Sequence, residues 1–339
     1  MRSQLILTVV CTVVLGNICM AESFTTLNYD VEVACQAKNQ EATFENTSSY
    51  SWQNAYLMTQ LTWLPQLETK IIHQAVKAWQ FDNVTIIDKQ GGRPRAMLVE
   101  QPDYAILAFR GTDDVKEAFT DAKFITKQVH NGVFQGRFHD GFWTIYRQIR
   151  AKLIRTLEDR KLQQKPLFVT GHSLGAALAA LTVHELYALG YNIRAYYGIA
   201  APRYGNIQAM NMLRRLKFPK YLVSNPKDIT PQIPPTLASV KNIQAMAMYW
   251  FKFLKMPAHG IIKRMDYAQP PASSIHYMNP GTPTTYSEKE QNNLEQSFWD
   301  SFEAEMLGVP KKDWINHIVQ LGHEHHPPDK YICIIRNYL

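Results

Sequence analysis

Between Val169 and Leu178 the chain contains Gly171-His172-Ser173-Leu174-Gly175, a G-x-S-x-G pentapeptide, and its surroundings constrain the fold more than its five letters do. Pro166 to Thr170 is an apolar run of strand length, and Leu174 to Leu186 is rich in small helix formers. A strand, a tight turn and a helix in that order raise the serine hydroxyl onto an exposed bend at the C-terminal edge of a sheet. Gly171 and Gly175 leave room for the helix to pass close to the strand. The amide of Leu174 then lies at a helix N-terminus, aimed where developing negative charge is stabilised. Ser173 is therefore a candidate nucleophile. The plain alternative for such a pentapeptide is an ordinary Gly-Ser turn.

Short apolar segments recur on both sides of this unit. Val84 to Asp88 and Arg95 to Glu100 read as strands around the turn at Gly91-Gly92, and Tyr104 to Phe109 reads as a third, ending at Arg110-Gly111-Thr112. Residues 139 to 160 carry Phe142, Ile145, Ile149, Leu153 and Leu157 at helical spacing. Asn192 to Gly198 and Lys220 to Ser224 are two further strands. Strands alternating with helices predict an α/β fold, a mostly parallel central sheet with helices on both faces. With 339 residues, 46% of them hydrophobic, the chain is long enough for one large core of this kind.

The N-terminus reads as a signal peptide over residues 1–21. Arg2 supplies the positive start, Leu5 to Leu15 the apolar run, and Cys19-Met20-Ala21 small residues at a cleavage site. The run is too short to span a bilayer, and no other segment reaches that length, so no transmembrane segment is expected. Of four cysteines, export would leave Cys35 and Cys333, and a lone pair in an exported chain suggests a disulfide between them. The formal charge of +7 is mildly basic and suits an anionic lipid surface. No run of Lys/Arg interleaved with aromatics suggests nucleic-acid binding.

A hydrolytic serine needs an imidazole base, and the imidazole needs a carboxylate to orient it. In this kind of fold they follow in the order serine, acid, histidine. Asp228 closely follows the end of a strand and is the first candidate acid. Asp113, Asp114 and Asp121 precede Ser173, while Asp266 has no clear strand before it. The histidine lies among His317, His323, His325 and His326. That cluster is also compatible with metal binding, but Cys and carboxylate ligands at metal spacing are lacking, so neither metal nor cofactor is expected. Residues 236 to 256 form a different kind of segment. At about 100° per residue Ile243, Met246, Trp250, Phe253 and Leu254 share one face, with Lys241, Lys252 and Lys255 opposite. This reads either as a helix packed on the core or as an interface-binding or cap helix. Residues 265–292 read as a long loop, followed by a helix around 294–306.

Taken together, these segments resemble the class 3 (fungal-type) lipase family of α/β-hydrolases. Phe109 to Thr112, Phe138 to Phe142, Gly171 to Gly175, Ala201 to Asn206 and Asp228 to Pro235 are similar to family motifs and occur in the family's order. The resemblance implies a single hydrolase domain over 22–339, with 236–292 as a helical cap or insertion between acid and histidine. It implies a secreted serine hydrolase acting on a lipid ester, most directly an acylglycerol, with phospholipase and short-chain or feruloyl-type carboxylesterase as alternatives. A lipid-binding protein without catalysis is a more distant one. Ser173 is then the nucleophile and Asp228 the acid. The family's spacing of five residues from histidine to tyrosine selects His326, ahead of Tyr331, over His323 and His325. Thr112 and Leu174 supply the oxyanion donors. Phe119, in the segment where the family carries its lid, joins Trp250 and Phe253 as candidate lipid contacts and peripheral points of attachment to an interface. The same segment departs from the pattern: it opens on Asp113-Asp114 and carries Ala118 where an aromatic is usual. His139, His172 and Arg203 are expected to serve packing or hydrogen bonding.

Overall fold

The computed structural model describes residues 44–88, 94–112, 125–236, 239, 266–278, 285–310, 325, 327–336 and 338. In chain order the main elements are α1 (Trp52–Trp63), α2 (Thr69–Ala78), β1 (Asn83–Asp88), β2 (Pro94–Glu100), β3 (Ala105–Phe109), β4 (Thr126–Asn131), β5 (Phe134–His139), α3 (Asp140–Asp159), β6 (Leu167–His172), α4 (Leu174–Ala188), β7 (Ile193–Ile199), α5 (Ile207–Arg215), β8 (Lys220–Ser224), β9 (Ile275–Tyr277) and α6 (Glu288–Leu307). Seven strands form one sheet in the order β1-β2-β3-β6-β7-β8-β9. The first two pairings are antiparallel, and from β3 to β9 every pairing is parallel. The strands β4 and β5 form a separate hairpin.

Side-chain alternation assigns the two faces of the sheet. Ala96, Leu98, Leu107 and Val169 join α3, α4 and α5 in one core, while Met97, Val99, Ile106 and Phe168 join α1, α2 and the C-terminal Tyr331 and Ile335 in the other. Helices on both faces and a parallel centre make this the expected α/β arrangement. The helix α4 has no polar side: every residue from Leu174 to Leu186 is buried, which explains its small-residue composition. The stripe on α3 is shifted at its start. Trp143 and Tyr146 are the buried residues there, with Phe142 and Ile145 partly covered, before Ile149, Leu153 and Leu157 continue as expected.

Two local assignments from the sequence need correction. The supposed loop over 265–292 contains β9, whose Ile275, His276 and Tyr277 pair with Leu222, Val223 and Ser224 to extend the central sheet. A strand of three residues is too short to display alternation. The final long helix starts at Glu288, not near 294. Ser287 caps it through a reciprocal bond with Glu290, a capping box present in the sequence as Ser-x-x-Glu.

Two buried histidines make the fold sensitive to acid. The His139 ring caps α3, its Nδ1 accepting the N–H groups of Gly141 (3.1 Å) and Phe142 (3.4 Å). His184 hydrogen-bonds the Tyr204 hydroxyl at 3.1 Å. Burial lowers His139 from 6.5 to about 4 and His184 to about 3. Between those values and 6.5 the unfolded chain takes up protons that the folded chain excludes. Their contribution is therefore complete above about pH 6.5 and is lost as pH falls towards the folded values, with a limiting slope of roughly 1.4 kcal/mol per pH unit for each ring. Denaturant midpoints are expected to hold from pH 7.5 to about 6.5 and to fall from there down to 4.5. A flat profile would refute this account.

Candidate active site

Ser173 lies at the turn from β6 into α4 with φ 56° and ψ −128°, a left-handed conformation that a non-glycine residue adopts only under constraint. The constraint is visible in the backbone. The Ser173 N–H donates to the carbonyl of Ile199 at 3.0 Å, and the Ser173 carbonyl accepts the N–H of Ala176 at 2.9 Å. Strand and helix approach so closely that a Cβ on Gly171 would lie 2.1 Å from the Gly175 carbonyl oxygen. A Cβ on Gly175 would lie 2.4 Å from the carbonyl oxygen of Phe109, at the end of β3. The two glycines are what allow the turn to be this tight.

Asp228 follows β8 and is fully buried. Its Oδ1 accepts the N–H of Thr230 at 2.8 Å. Its Oδ2 takes two donors: Nδ1 of His325 at 2.8 Å and the hydroxyl of Tyr331 at 2.6 Å. Tyr331 in turn accepts the N–H of Asn225 at 3.3 Å, tying the C-terminal turn back to the end of β8. A carboxylate can only accept, so the His325 proton sits on Nδ1 and the Nε2 lone pair is available to take another. That Nε2 is buried and has no hydrogen-bond partner among the described residues. The His325 ring lies 4.5 Å from the ring of His172, the residue immediately before Ser173.

The histidine on Asp228 is thus His325, where family spacing selects His326. Pro327–Ile332 forms a wide π-type turn, which accommodates one more residue between the histidine and Tyr331 than the five-residue spacing allows. His326 itself lies outside the described residues, as do His317 and His323.

Of the two proposed oxyanion donors, one directly follows the serine in the chain and the other follows a residue that meets the elbow. Leu174 is the first residue of α4, so its N–H has no acceptor within the helix. Thr112 follows Gly111, whose backbone meets the elbow: a Cβ there would be 3.4 Å from the Ser173 Cβ and 3.0 Å from the His172 carbonyl oxygen. The candidate lipid contacts Phe119, Trp250 and Phe253 lie outside the described residues. So does Cys35, whereas Cys333 is disulfide-bonded. Among the described residues no helix is long and apolar enough to cross a membrane, and no three His, Cys, Asp or Glu side chains are grouped to hold a metal ion.

Arg203 was expected to serve in packing or hydrogen bonding, and it sits at the centre of a buried polar network. Its guanidinium donates to the carbonyls of Gln232 and Pro234, just beyond the acid, and pairs with Glu295 of α6 at 3.1 Å. Burial raises the Glu295 carboxyl, but Arg203 and hydrogen bonds from Ser239, Gln269 and Thr236 leave it below its ordinary value. Asp266 is occupied elsewhere. It accepts from Arg137 at 3.1 Å, Thr126 at 3.0 Å and Asn206 at 3.2 Å, tying the hairpin to the start of α5. These structural bonds account for an acid that matched the chain order without reaching the site.

A parallel sheet with a serine on a strained strand-to-helix turn and an Asp–His pair beyond the strand ends defines an α/β-hydrolase fold. Residues 106–238, from within β3 to the segment beyond Asp228, match the family model for lipase (class 3). The chain is 30% identical over 181 residues to the secreted mono- and diacylglycerol lipase A of Penicillium cyclopium, covering 52% of this chain and 56% of that one. It is also 30% identical over 190 residues to the phospholipase A1-II 3 of Oryza sativa subsp. japonica, covering 45% of this chain and 44% of the other. The chain thus spans about half the length of these relatives. Among solved structures, that of MDLA from Penicillium cyclopium has a TM-score of 0.47 at 19% identity, covering 69% of this chain and 82% of that chain.

Proposed function

We propose that this protein is an exported serine hydrolase that cleaves acylglycerol-type carboxylic esters through an acyl-enzyme, with Ser173 as nucleophile, His325 as base and Asp228 as the acid that orients it. The observation that carries the proposal is the Asp228–His325 pair, 2.8 Å apart, held beside the strained turn that presents Ser173. Nε2 of His325 takes the proton from the Ser173 hydroxyl as Oγ attacks the ester carbonyl carbon. Negative charge moves to the carbonyl oxygen, where the N–H groups of Thr112 and Leu174 meet it. Collapse breaks the ester C–O bond, and the departing alcohol takes the proton from Nε2. Water then repeats the sequence on the acyl-serine, releasing the fatty acid and restoring the serine.

An acylglycerol substrate is supported by the likeness to the Penicillium lipase. A phospholipid is the second reading, favoured by an equal identity to the rice phospholipase. Phe119, Trp250 and Phe253 are the proposed contacts with the lipid. Export is supported by the signal-like residues 1–21 and by the disulfide at Cys333, for which Cys35 is the partner remaining after cleavage.

Wild-type protein and Ser173→Ala should be compared on a short-chain soluble ester, a long-chain acylglycerol and phospholipid vesicles. Turnover of the acylglycerol by the wild type, reduced by roughly five orders of magnitude in the variant, is the expected result. Turnover confined to vesicles would favour the phospholipid reading. The absence of Ser173-dependent turnover on all three substrates would reject the proposal.

A further inference from the structure

His172, the variable residue inside the G-x-S-x-G turn, is only 4% exposed, and its ring faces the C-terminal histidine. Its Nε2 lies 3.1 Å from the backbone carbonyl oxygen of His325. A carbonyl only accepts, so this nitrogen carries a proton and donates. The two rings are 4.5 Å apart at 31°, and Tyr331 meets the His172 ring edge-on at 5.8 Å. On its other side the ring packs against Gly111, where a Cβ would be 3.1 Å from Nδ1.

We propose that His172 is a positioning residue for the reaction, setting where the base stands relative to the nucleophile. The inference rests on the hydrolase reading above. Asp228 holds His325 at one point, the Nδ1 of its ring. A ring held at one point swings about it, so Nε2 is defined only when the backbone carrying the ring is held too. The His172 bond supplies that second point, and it originates on β6, one residue from Ser173, where backbone pairing to β7 fixes the strand. Base and nucleophile are thus registered to one rigid element directly, without relying on the longer route through β8 and Asp228. Misplacing a reacting group by about an ångström costs on the order of 100-fold in rate.

The test compares His172→Gln with His172→Asn and His172→Leu. Gln keeps a donor at nearly the reach of the imidazole Nε2. Asn keeps the amide but ends one methylene short, and Leu keeps only bulk. On a soluble ester, Gln is expected to retain kcat within about threefold, while Asn and Leu lose about 10- to 100-fold, all with KM within about twofold of wild type. Thermal midpoints recorded alongside separate this from loss of fold. Should Leu fail to fold, the Gln–Asn pair alone decides. Equal losses in Gln and Asn, a change carried by KM instead of kcat, or unchanged kcat in Asn would each overturn the inference while leaving wild-type turnover intact. A wild type without Ser173-dependent turnover would instead remove the hydrolase reading, and this inference with it.

Discussion

Alanine at position 325 is expected to lower kcat by roughly four to six orders of magnitude, whereas alanine at position 326 leaves most of it. The reason is the proton inventory around Asp228. Oδ1 and Oδ2 are committed to Thr230, Tyr331 and His325, and no exchange with solvent is available to a fully buried carboxylate. Only the ring that already donates Nδ1–H to this group is prepared to accept at Nε2 and to carry the resulting positive charge beside a compensating negative one. Removing it leaves the serine without a base and the aspartate without its partner. The measurement is kcat on a soluble ester for both variants, with thermal midpoints as a check of folding. Loss in His326→Ala together with tolerance in His325→Ala would reverse the assignment.

The second large effect concerns folding. Gly171→Ala is expected to abolish soluble protein or to lower the thermal midpoint by about 5 °C or more, corresponding to a destabilisation of roughly 3 kcal/mol or more. Its new methyl would sit 2.1 Å from the carbonyl oxygen, 2.3 Å from the carbonyl carbon of Gly175 and 2.6 Å from the nitrogen of Ala176. All three are backbone atoms in the first turn of α4, so no side chain can rotate out of the way. Relief requires the helix to move off the sheet, taking Ser173 with it. Gly308→Ala is the matched control. There the nearest atom to a new Cβ is 3.4 Å away, an ordinary contact, and the midpoint should stay within a few degrees. Equal midpoints for the two variants would show that helix and strand are not locked together as described.

What could be read from the sequence follows from how local each signal is. The elbow was legible because strand, glycines and small-residue helix all fall between Pro166 and Leu186. The proposed acid, Asp228, was legible because it closely follows an apolar strand. The histidine that pairs with it was not, because a single extra residue between His325 and Tyr331 is absorbed by the turn over Pro327–Ile332, and turn width leaves no mark on hydrophobic periodicity. The hairpin of β4 and β5 and the helix α5 also went unread. The buried pattern of β4 is irregular, and the stripe of α5 rests on only Ala209, Met210 and Leu213. The edge strand β9 is recognisable only from its partner β8. His172 and Arg203 were legible as hydrogen-bonding residues, but the carbonyls they bond, on His325, Gln232 and Pro234, left no mark, since any residue type provides a carbonyl.

The Arg203 network has an engineering consequence. Thr236 and Ser239 are bonded to Glu295 just before residues 240–265, and Asp266 and Gln269 are bonded to Arg137 and Glu295 just after them. The described residues on either side of 240–265 are therefore moored to charged groups of the folded body, buried Glu295 and partly buried Arg137. Any sequence grafted between these two anchor points would start and end at positions that the folded body sets.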